Sequence, residues 1–194
     1  MDNIKLKQFL NELYKEGQLN DSRSVNKSDK YLNITPDTGR FLGLLAQSIS
    51  ATKILEVGTS NGYSTIWLAL CTDDIAQITT IENDSKKITE AKANFLQTSL
   101  LHKIRIIEGD ASAVLSKVTE TFDLVFIDMN RELYSDILND IIRVTREKGI
   151  IVFDNAISHR KEMADIFNYF NNNSQFYSYL APIGKGEFVI IKKY

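Results

Sequence analysis

The sequence predicts an α/β protein built on a doubly wound, mostly parallel seven-stranded sheet with an antiparallel hairpin at its C-terminal end. Apolar runs typical of buried strands alternate with helical patterns from residue 53 onward, which favours parallel strands with helices on both faces. The first apolar run breaks into glycines and restarts as a helix, in ILEVGTSNGYSTIWLA (54–69). Only residues 183–186 separate the last two runs, and so short a connection requires a hairpin.

The elements follow in order along the chain. Apolar residues between 4 and 13 lie near helical spacing, so residues 4–16 are predicted to be a lid or docking helix and the polar run 17–30 a connector. Thr35 as N-cap and Pro36 at the first helical position begin a helix over 36–50. Strands are predicted at 53–58, 76–82, 103–108, 122–128, 149–154, 176–182 and 187–192. Helices are predicted between them at 62–71, 85–98, 111–117, 131–146 and 159–171.

Length and composition restrict the class of protein. A chain of 194 residues with 43% hydrophobic content suits a single domain, comprising an N-terminal helix and connector (1–34) and a core (35–194). The net charge of -2 gives no electrostatic reason to expect a nucleic-acid partner, although a local basic face could exist. The lone Cys71 favours a reducing, cytoplasmic setting. Neither export nor membrane insertion is expected, because no apolar stretch is long enough to span a bilayer.

A glycine-containing turn follows the first predicted strand. Its spacing, Glu56-x-Gly58-x-x-x-Gly62, differs from the G-x-G-x-x-G of pyrophosphate-binding turns, and its acidic residue would repel pyrophosphate. Ser64 and Thr65 open the next helix, whose N-terminus favours a carboxylate or phosphate. Because Glu56 suits an amino group, this charge pattern fits S-adenosylmethionine better than NAD. The alternative is a tight strand-to-helix turn without a ligand.

Acidic residues stand where the second and third strands are predicted to end. Ligands of open α/β sheets bind at this edge. Glu82 could accept both hydroxyls of an adenosine ribose, or could be a surface acid before a helix. Asp110 and Ala111 could border an adenine ring, with helix capping by Asp110 as the alternative.

Three oxygen donors follow the fourth and fifth strands: Asp128, Asp154 and Asn155. Mg²⁺ takes carboxylate and amide oxygens in octahedral geometry and keeps positions open for a substrate, so these residues predict a divalent-cation site. The alternative is that Asp154 and Asn155 merely cap the following helix.

Together these segments resemble the cation-dependent O-methyltransferases of the catechol and caffeoyl-coenzyme A type, a class I S-adenosylmethionine-dependent family with a Rossmann-like fold. The resemblance covers about residue 35 to the end and rests on TPDTGRFLGLL, LEVGTSNGYST, IEND, EGDA, FIDMNRELY, FDN and LAPIGKGEFV. It implies a homodimer. It also implies positions for the site residues: Glu56, Gly58 and Ser64 around the methionine part of the cofactor, Glu82 on the ribose, Ala111 beside adenine, and Asp128, Asp154 and Asn155 on the metal, with Asp128 also bordering the cofactor.

Two departures from the family bear on the mechanism. Arg131 stands where many members have a lysine thought to deprotonate the substrate, and arginine cannot act as a base at neutral pH because its pKa is above about 12. We therefore predict that Asp128 and Arg131 are catalytic, with the metal activating the hydroxyl and Arg131 stabilising negative charge. The alternatives are an Arg131 that only begins a helix and a base at His159. The segment after Asn155 is also expected to enter a helix almost at once, without the family's longer substrate loop.

The leading hypothesis is a Mg²⁺-dependent O-methyltransferase acting on a small vicinal-diol or hydroxylated aromatic acceptor. The first alternative is a methyltransferase for a hydroxylated tRNA base, against which the neutral overall charge argues mildly. The second is an S-adenosylmethionine-binding protein that has lost catalysis, against which the intact trio of oxygen donors argues.

Overall fold

The computed structural model describes residues 3–194, so the first two residues of the predicted N-terminal segment 1–34 lie outside the described residues. The strands are β1 (Lys53–Val57), β2 (Gln77–Glu82), β3 (Ile104–Glu108), β4 (Phe122–Ile127), β5 (Thr145–Phe153), β6 (Phe176–Ala181) and β7 (Glu187–Lys192). The helices are α1 (Asn3–Arg23), α2 (Pro36–Ser48), α3 (Tyr63–Leu70), α4 (Ser85–Thr98), α5 (Ala111–Leu115), α6 (Tyr134–Val144) and α7 (Ala164–Asn171).

The strands form one seven-stranded sheet in the order β3-β2-β1-β4-β5-β7-β6. Strands β1 to β5 run parallel, and β7 runs antiparallel to both β5 and β6. The predicted fold class is therefore confirmed. The strand order reverses at β1, which has β2 on one side and β4 on the other, and this is the position where open α/β sheets bind ligands.

Each face of the sheet is covered by its own group of helices. Successive strand residues such as Ile54 and Leu55 alternate between two hydrophobic clusters. Helices α1 to α4 complete the first cluster and α5 to α7 the second. Because both faces are buried, the central strands are mostly apolar in the sequence. None of the helices in the described part of the chain is long and apolar enough to cross a membrane.

The N-terminal helix is longer than predicted, because it runs to Arg23 through residues expected to be a connector. Leu6, Leu10 and Leu13 are buried in the first cluster, so the helix docks onto the core, and Gly17 is also buried on the helix. A Cβ at Gly17 would lie 2.4 Å from the Asn33 side chain. The glycine thus allows a close approach, and the polar residues around it cover the solvent side of the same helix.

The predicted boundary between helix 131–146 and strand 149–154 is wrong. Residues 131–133 form a 3-10 turn, α6 ends at Val144, and β5 begins at once with Thr145, which pairs with Phe122. The Thr145 hydroxyl donates to the Ile141 carbonyl at 2.6 Å. The strand therefore includes the polar segment 145–149, in which Thr145 pairs with Phe122 and the register to β4 then shifts before Ile150.

The predicted helix 159–171 begins late, at Ala164, and residues 154–163 form a series of turns. Backbone N–H groups at 156, 157 and 158 donate to carbonyls of Gly186 and Lys185 at 2.7 to 3.1 Å. Because these N–H groups are hydrogen-bonded to the β6–β7 loop, the segment cannot form a helix directly after Asn155. The expectation that it enters a helix almost at once is therefore wrong. The remaining elements differ from the predicted ranges by up to two residues at an end.

Candidate active site

Backbone hydrogen bonds continue past the strand ends and gather the predicted site residues at one edge of the sheet. The N–H of Gly58 donates to Ile81 at 3.0 Å, that of Asp128 to Val57 at 3.0 Å, and that of Asp154 to Ile127 at 3.1 Å. The first residue after each of β1, β4 and β5 is therefore held against the neighbouring strand.

The turn between β1 and α3 requires glycine. Gly58 has φ 105°, and a Cβ there would lie 2.0 Å from the backbone oxygen of Asp128. Gly62 has φ 86° and lies against the ring of Phe95, where a Cβ would approach to 2.4 Å. The turn thus packs directly against the segment that follows β4, so the predicted cofactor turn and the predicted metal residues are neighbours.

Glu56 is fully buried beneath this turn. Its Oε2 accepts hydrogen bonds from the hydroxyls of Thr65 and Thr80, whereas its Oε1 has no hydrogen-bond partner. Burial raises the pKa of Glu56 to about 7, against the opposing effect of the hydroxyls of Ser64, Thr65 and Thr80. An unpaired buried carboxylate oxygen favours a donor or a positive charge, and the predicted amino group would supply both.

Glu82 is fixed in place by backbone donors. Its Oε2 accepts from the N–H of Ser60 at 2.8 Å, and its Oε1 accepts from the N–H groups of Asn83 and Asp84 at 2.9 and 3.1 Å. The carboxylate is half-buried between the ends of β1 and β2. It is therefore a positioned acceptor and not a mobile surface acid.

The residues after β3 lie next to Glu82. The N–H of Gly109 donates to the Glu82 carbonyl at 2.9 Å. Asp110 caps α5 by accepting from the N–H of Ala113 at 3.0 Å, which is the alternative that the sequence left open. Ala111 is buried at the start of the helix. The structure thus places Ala111 just after β3, on the same edge of the sheet as Glu82.

The three predicted oxygen donors, Asp128, Asp154 and Asn155, come together. The Asn155 amide donates from Nδ2 to Asp154 Oδ2 at 2.5 Å and lies 3.5 Å from Asp128 Oδ1. Burial, followed by the charge of Asp154, raises the pKa of Asp128 well above its usual range, and burial raises the pKa of Asp154. Because α7 begins only at Ala164 with Met163 as its N-cap, neither Asp154 nor Asn155 caps a helix.

Within residues 3–194, no group of three or more His, Cys, Asp or Glu side chains is arranged as a ready metal cluster. A cation at this edge would therefore depend on the amide of Asn155 beside the two aspartates. Asn155 has φ 63°, a left-handed backbone that asparagine adopts more readily than most residues. Turning the amide about its last bond would exchange the donating nitrogen for an accepting oxygen.

The sequence did not point to Glu187, which the structure places beside Asp154. Glu187 is fully buried at the start of β7, and its Oε1 accepts from the Thr38 hydroxyl at 2.9 Å. Burial and then the charge of Asp154 raise the pKa of Glu187 to about 10. The sequence carries no local signal for this residue, because only the pairing of β7 with the end of β5 brings Glu187 to Asp154.

Arg131 does not face solvent, contrary to the alternative that it only begins a helix. Its side chain is 10% exposed, and its Nε is buried without a hydrogen-bond partner. Its ion pair with Glu162 spans 3.9 Å. The guanidinium charge opposes the rise in the pKa of Asp128 and Asp154, so it acts on the same edge of the sheet.

His159, the alternative base, pairs with the exposed Glu162. Its Nδ1 lies 2.8 Å from Glu162 Oε1, and its side chain is 38% exposed. Glu162 therefore lies between His159 and Arg131. This contact holds the imidazole on the exposed turn segment.

Comparison with known proteins decides the family. The sequence profile of a family described as O-methyltransferase matches residues 6–174. The chain belongs to the O-methyltransferase family. Catechol O-methyltransferase from Niastella koreensis is 35% identical over 134 residues, which cover 67% of this chain and 61% of that protein. Its Mycobacterium tuberculosis counterpart is 34% identical over 125 residues, which cover 64% of this chain and 57% of that protein. The matches thus span about three fifths of these curated relatives, and the resemblance drawn from the sequence segments is confirmed.

Solved structures confirm the fold. A putative O-methyltransferase from Klebsiella pneumoniae superposes with a TM-score of 0.82 and 22% identity, covering 100% of this chain and 91% of that one. The O-methyltransferase from Bacillus cereus, solved in complex with SAH, gives a TM-score of 0.79 and 21% identity, covering 100% of this chain and 92% of that one.

Proposed function

We propose that this protein is an S-adenosylmethionine-dependent O-methyltransferase that methylates a small hydroxylated aromatic or vicinal-diol acceptor beside a divalent cation, with Mg²⁺ favoured. The observation that carries the proposal is that the turn at Gly58 packs directly against the backbone of Asp128. A Cβ added to Gly58 would lie 2.0 Å from the Asp128 carbonyl oxygen. A cofactor at the turn and an acceptor near Asp128 would therefore be neighbours. The relatives named catechol O-methyltransferase support the acceptor class.

The residues around the turn fit S-adenosylmethionine. The unpaired Oε1 of Glu56 would receive the amino group, with Gly58 and Ser64 around the methionine part. Glu82, held by three backbone donors, would accept the ribose hydroxyls, and Ala111 would border adenine. The cofactor supplies a sulfonium methyl group that is open to attack by an oxygen. The SAH complex of the Bacillus cereus enzyme supports this choice of cofactor.

The residues after β4 and β5 fit a hard cation. Asp128 and Asp154 supply carboxylate oxygens and Asn155 an amide oxygen, the ligand type that Mg²⁺ prefers. Burial and then the charge of Asp154 raise the pKa of Asp128, and a cation would relieve the repulsion between the two carboxylates. A divalent cation held there would lower the pKa of the acceptor hydroxyl and orient its oxygen.

Arg131 would stabilise negative charge on the acceptor oxygen and would not act as a base. A guanidinium keeps its proton at neutral pH, and its unpaired Nε is available to an oxygen that becomes negative. In the reaction the acceptor oxygen forms a bond to the methyl carbon while the carbon–sulfur bond breaks. S-adenosylhomocysteine leaves, and the hydroxyl proton passes to water.

The direct test follows methyl transfer from S-adenosylmethionine to 3,4-dihydroxybenzoate by mass spectrometry, with Mg²⁺ present. We expect a monomethylated product. Asp154→Ala should abolish transfer and leave cofactor affinity within about threefold, because the cation serves the acceptor. Asp165→Ala, an exposed acid on α7, is the matched control and should retain transfer. An Asp154→Ala protein as active as this control would contradict the proposal.

Two expectations about the whole protein remain predictions. The homodimer implied by the family is tested by light scattering during size-exclusion chromatography, where a monomer mass would contradict it. The cytoplasmic location is tested by fractionating cells that produce the protein at its natural level.

A further inference from the structure

A surface cavity lies beside the predicted oxygen donors. Its volume is about 320 Å³, and residues 157–162 line it. The hydroxyl of Ser158 and the N–H of His159 donate to the Asn155 carbonyl at 3.2 and 2.9 Å. The N–H groups of residues 157 and 158 also donate to the Lys185 carbonyl in the β6–β7 loop, at 3.1 and 3.0 Å. The cavity is therefore fixed next to Asn155, at the same edge of the sheet as the proposed cation site.

Basic side chains predominate in the lining of this cavity. Arg160 and Lys161 are cations, His159 is a cation when protonated, and Glu162 is the one acid among the lining residues. Ile157 adds an apolar surface and is 46% exposed. This basic cavity (residues 157–162) thus favours a ligand that has an apolar body and a negative charge.

Cations from other parts of the chain add to this positive charge. Arg131 pairs with Glu162 at 3.9 Å, and its buried Nε has no hydrogen-bond partner. A hydrogen bond with His159, together with the charges of His159, Arg131 and Lys27, holds the pKa of Glu162 below its usual range. Lys27 therefore brings positive charge from the segment between α1 and α2. Because a single carboxylate cannot pair with all of these cations, a second carboxylate would be attracted to the same place.

We propose that the basic cavity binds a carboxylate group of the acceptor, which makes the acceptor a hydroxylated aromatic acid and not a neutral catechol. This inference rests on the proposed function, because the acceptor hydroxyls would lie at Asp128 and Asp154. In such an acid the aromatic ring separates the hydroxyls from the carboxylate. With the hydroxyls at the cation site, the ring would contact Ile157 and the carboxylate would reach Arg160 and Lys161.

A surface role for the same side chains predicts something different. If the cations only balanced Glu162 and were otherwise solvated, a carboxylate on the acceptor would leave its affinity unaltered. Two acceptors with the same ring and hydroxyls separate these roles: 3,4-dihydroxybenzoate carries a carboxylate, and 3,4-dihydroxybenzyl alcohol is neutral.

The experiment measures the binding of each acceptor by calorimetry to full-length protein saturated with S-adenosylhomocysteine and Mg²⁺, so that no methyl transfer occurs. An exposed charge pair contributes up to about fivefold in affinity, so several cations together should favour the benzoate about 10-fold or more. This preference should shrink as the salt concentration is raised, because salt screens exposed charges.

Three variants, each checked for folding by circular dichroism, assign the preference to the basic cavity. Lys161→Gln should weaken benzoate binding about 2-fold to 5-fold. Glu162→Gln should strengthen it by a similar factor, because the competing carboxylate is removed. Both side chains are exposed, and so is Lys92 on α4, whose replacement in Lys92→Gln controls for the loss of one charge and should bind like wild type. Affinity for the neutral alcohol should stay within about twofold in all three.

The outcomes separate this inference from the proposed function. A wild-type protein that binds neither acceptor would overturn the acceptor class of the proposed function, and this inference with it. Equal affinity of wild type for the two acceptors would overturn only the role of the basic cavity. The same holds if Lys161→Gln and Glu162→Gln both bind the benzoate like Lys92→Gln, since the carboxylate would then be recognised elsewhere.

Discussion

Replacing Gly58 by alanine tests the packing of the cofactor turn on β4. Gly58 has φ 105°, and a Cβ would lie 2.0 Å from Asp128 O and 2.9 Å from Asp128 C. A left-handed backbone costs an ordinary residue about 1–2 kcal/mol, and overpacking typically costs about 1–3 kcal/mol. The obstacle is backbone in a central strand connection, fixed by the hydrogen bond from Asp128 to Val57, so neither cost is easily relieved. Gly58→Ala should therefore lower the free energy of unfolding by about 2–5 kcal/mol.

Urea unfolding followed by circular dichroism measures this loss. Gly109→Ala is the matched control, because its Cβ would meet only the end of the Val114 side chain, at 3.0 Å. We expect the control to lose about 1–3 kcal/mol, the usual cost of a sparsely populated backbone conformation, because Gly109 has φ 153°. If Gly58→Ala loses no more than Gly109→Ala, the close approach of the turn to β4 does not constrain the fold as described.

Three further predictions concern single side chains. Glu82→Ala should weaken S-adenosylmethionine binding by about 1–3 kcal/mol, and unchanged affinity in calorimetry would remove Glu82 from the ribose site. Arg131→Ala should slow methyl transfer about 10-fold to 1,000-fold, whereas Arg131→Lys should retain or raise it; an alanine variant as fast as wild type at every pH would end the catalytic role. Asp123→Asn should cost about 1–3 kcal/mol of stability at pH 7. Burial alone would raise the pKa of Asp123, but the N–H donors of Lys53 and Arg146 outweigh it and hold that pKa below its usual range. The ionised Asp123 stabilises the fold fully above its unfolded-state pKa of about 4, and this stabilisation is lost as pH falls through its lower folded-state pKa. In acid-unfolding curves the difference in free energy of unfolding between wild type and Asp123→Asn should therefore close below about pH 4. A gap that persists there would contradict the assignment.

The core of the fold was predictable because its signals are local. Strands buried on both faces are mostly apolar, and Gly58 and Gly62 mark the turn after β1, where both residues have positive φ angles. The predicted oxygen donors also came together, because parallel strands end at the same edge.

The errors have a common cause, which is contact with distant residues. Residues 17–23 look like a connector, but the glycine at 17 packs on Asn33 and the helix continues. A helix was predicted from residue 159, but the N–H groups of residues 156–158 just before it bond to the β6–β7 loop, and the helix begins only at Ala164. Glu187 was missed for the same reason. Its partner Thr38 is 149 positions away in the sequence, and an acid that begins a strand looks like a surface residue.

The most direct test of the account is the cation requirement of methyl transfer. Wild-type protein is treated with excess chelator, and both S-adenosylmethionine binding and transfer to 3,4-dihydroxybenzoate are measured before and after Mg²⁺ is added. We predict that the chelated protein still binds the cofactor, that transfer falls to background, and that Mg²⁺ restores it. Full activity in excess chelator would contradict the assignment of Asp128, Asp154 and Asn155 to a catalytic cation site.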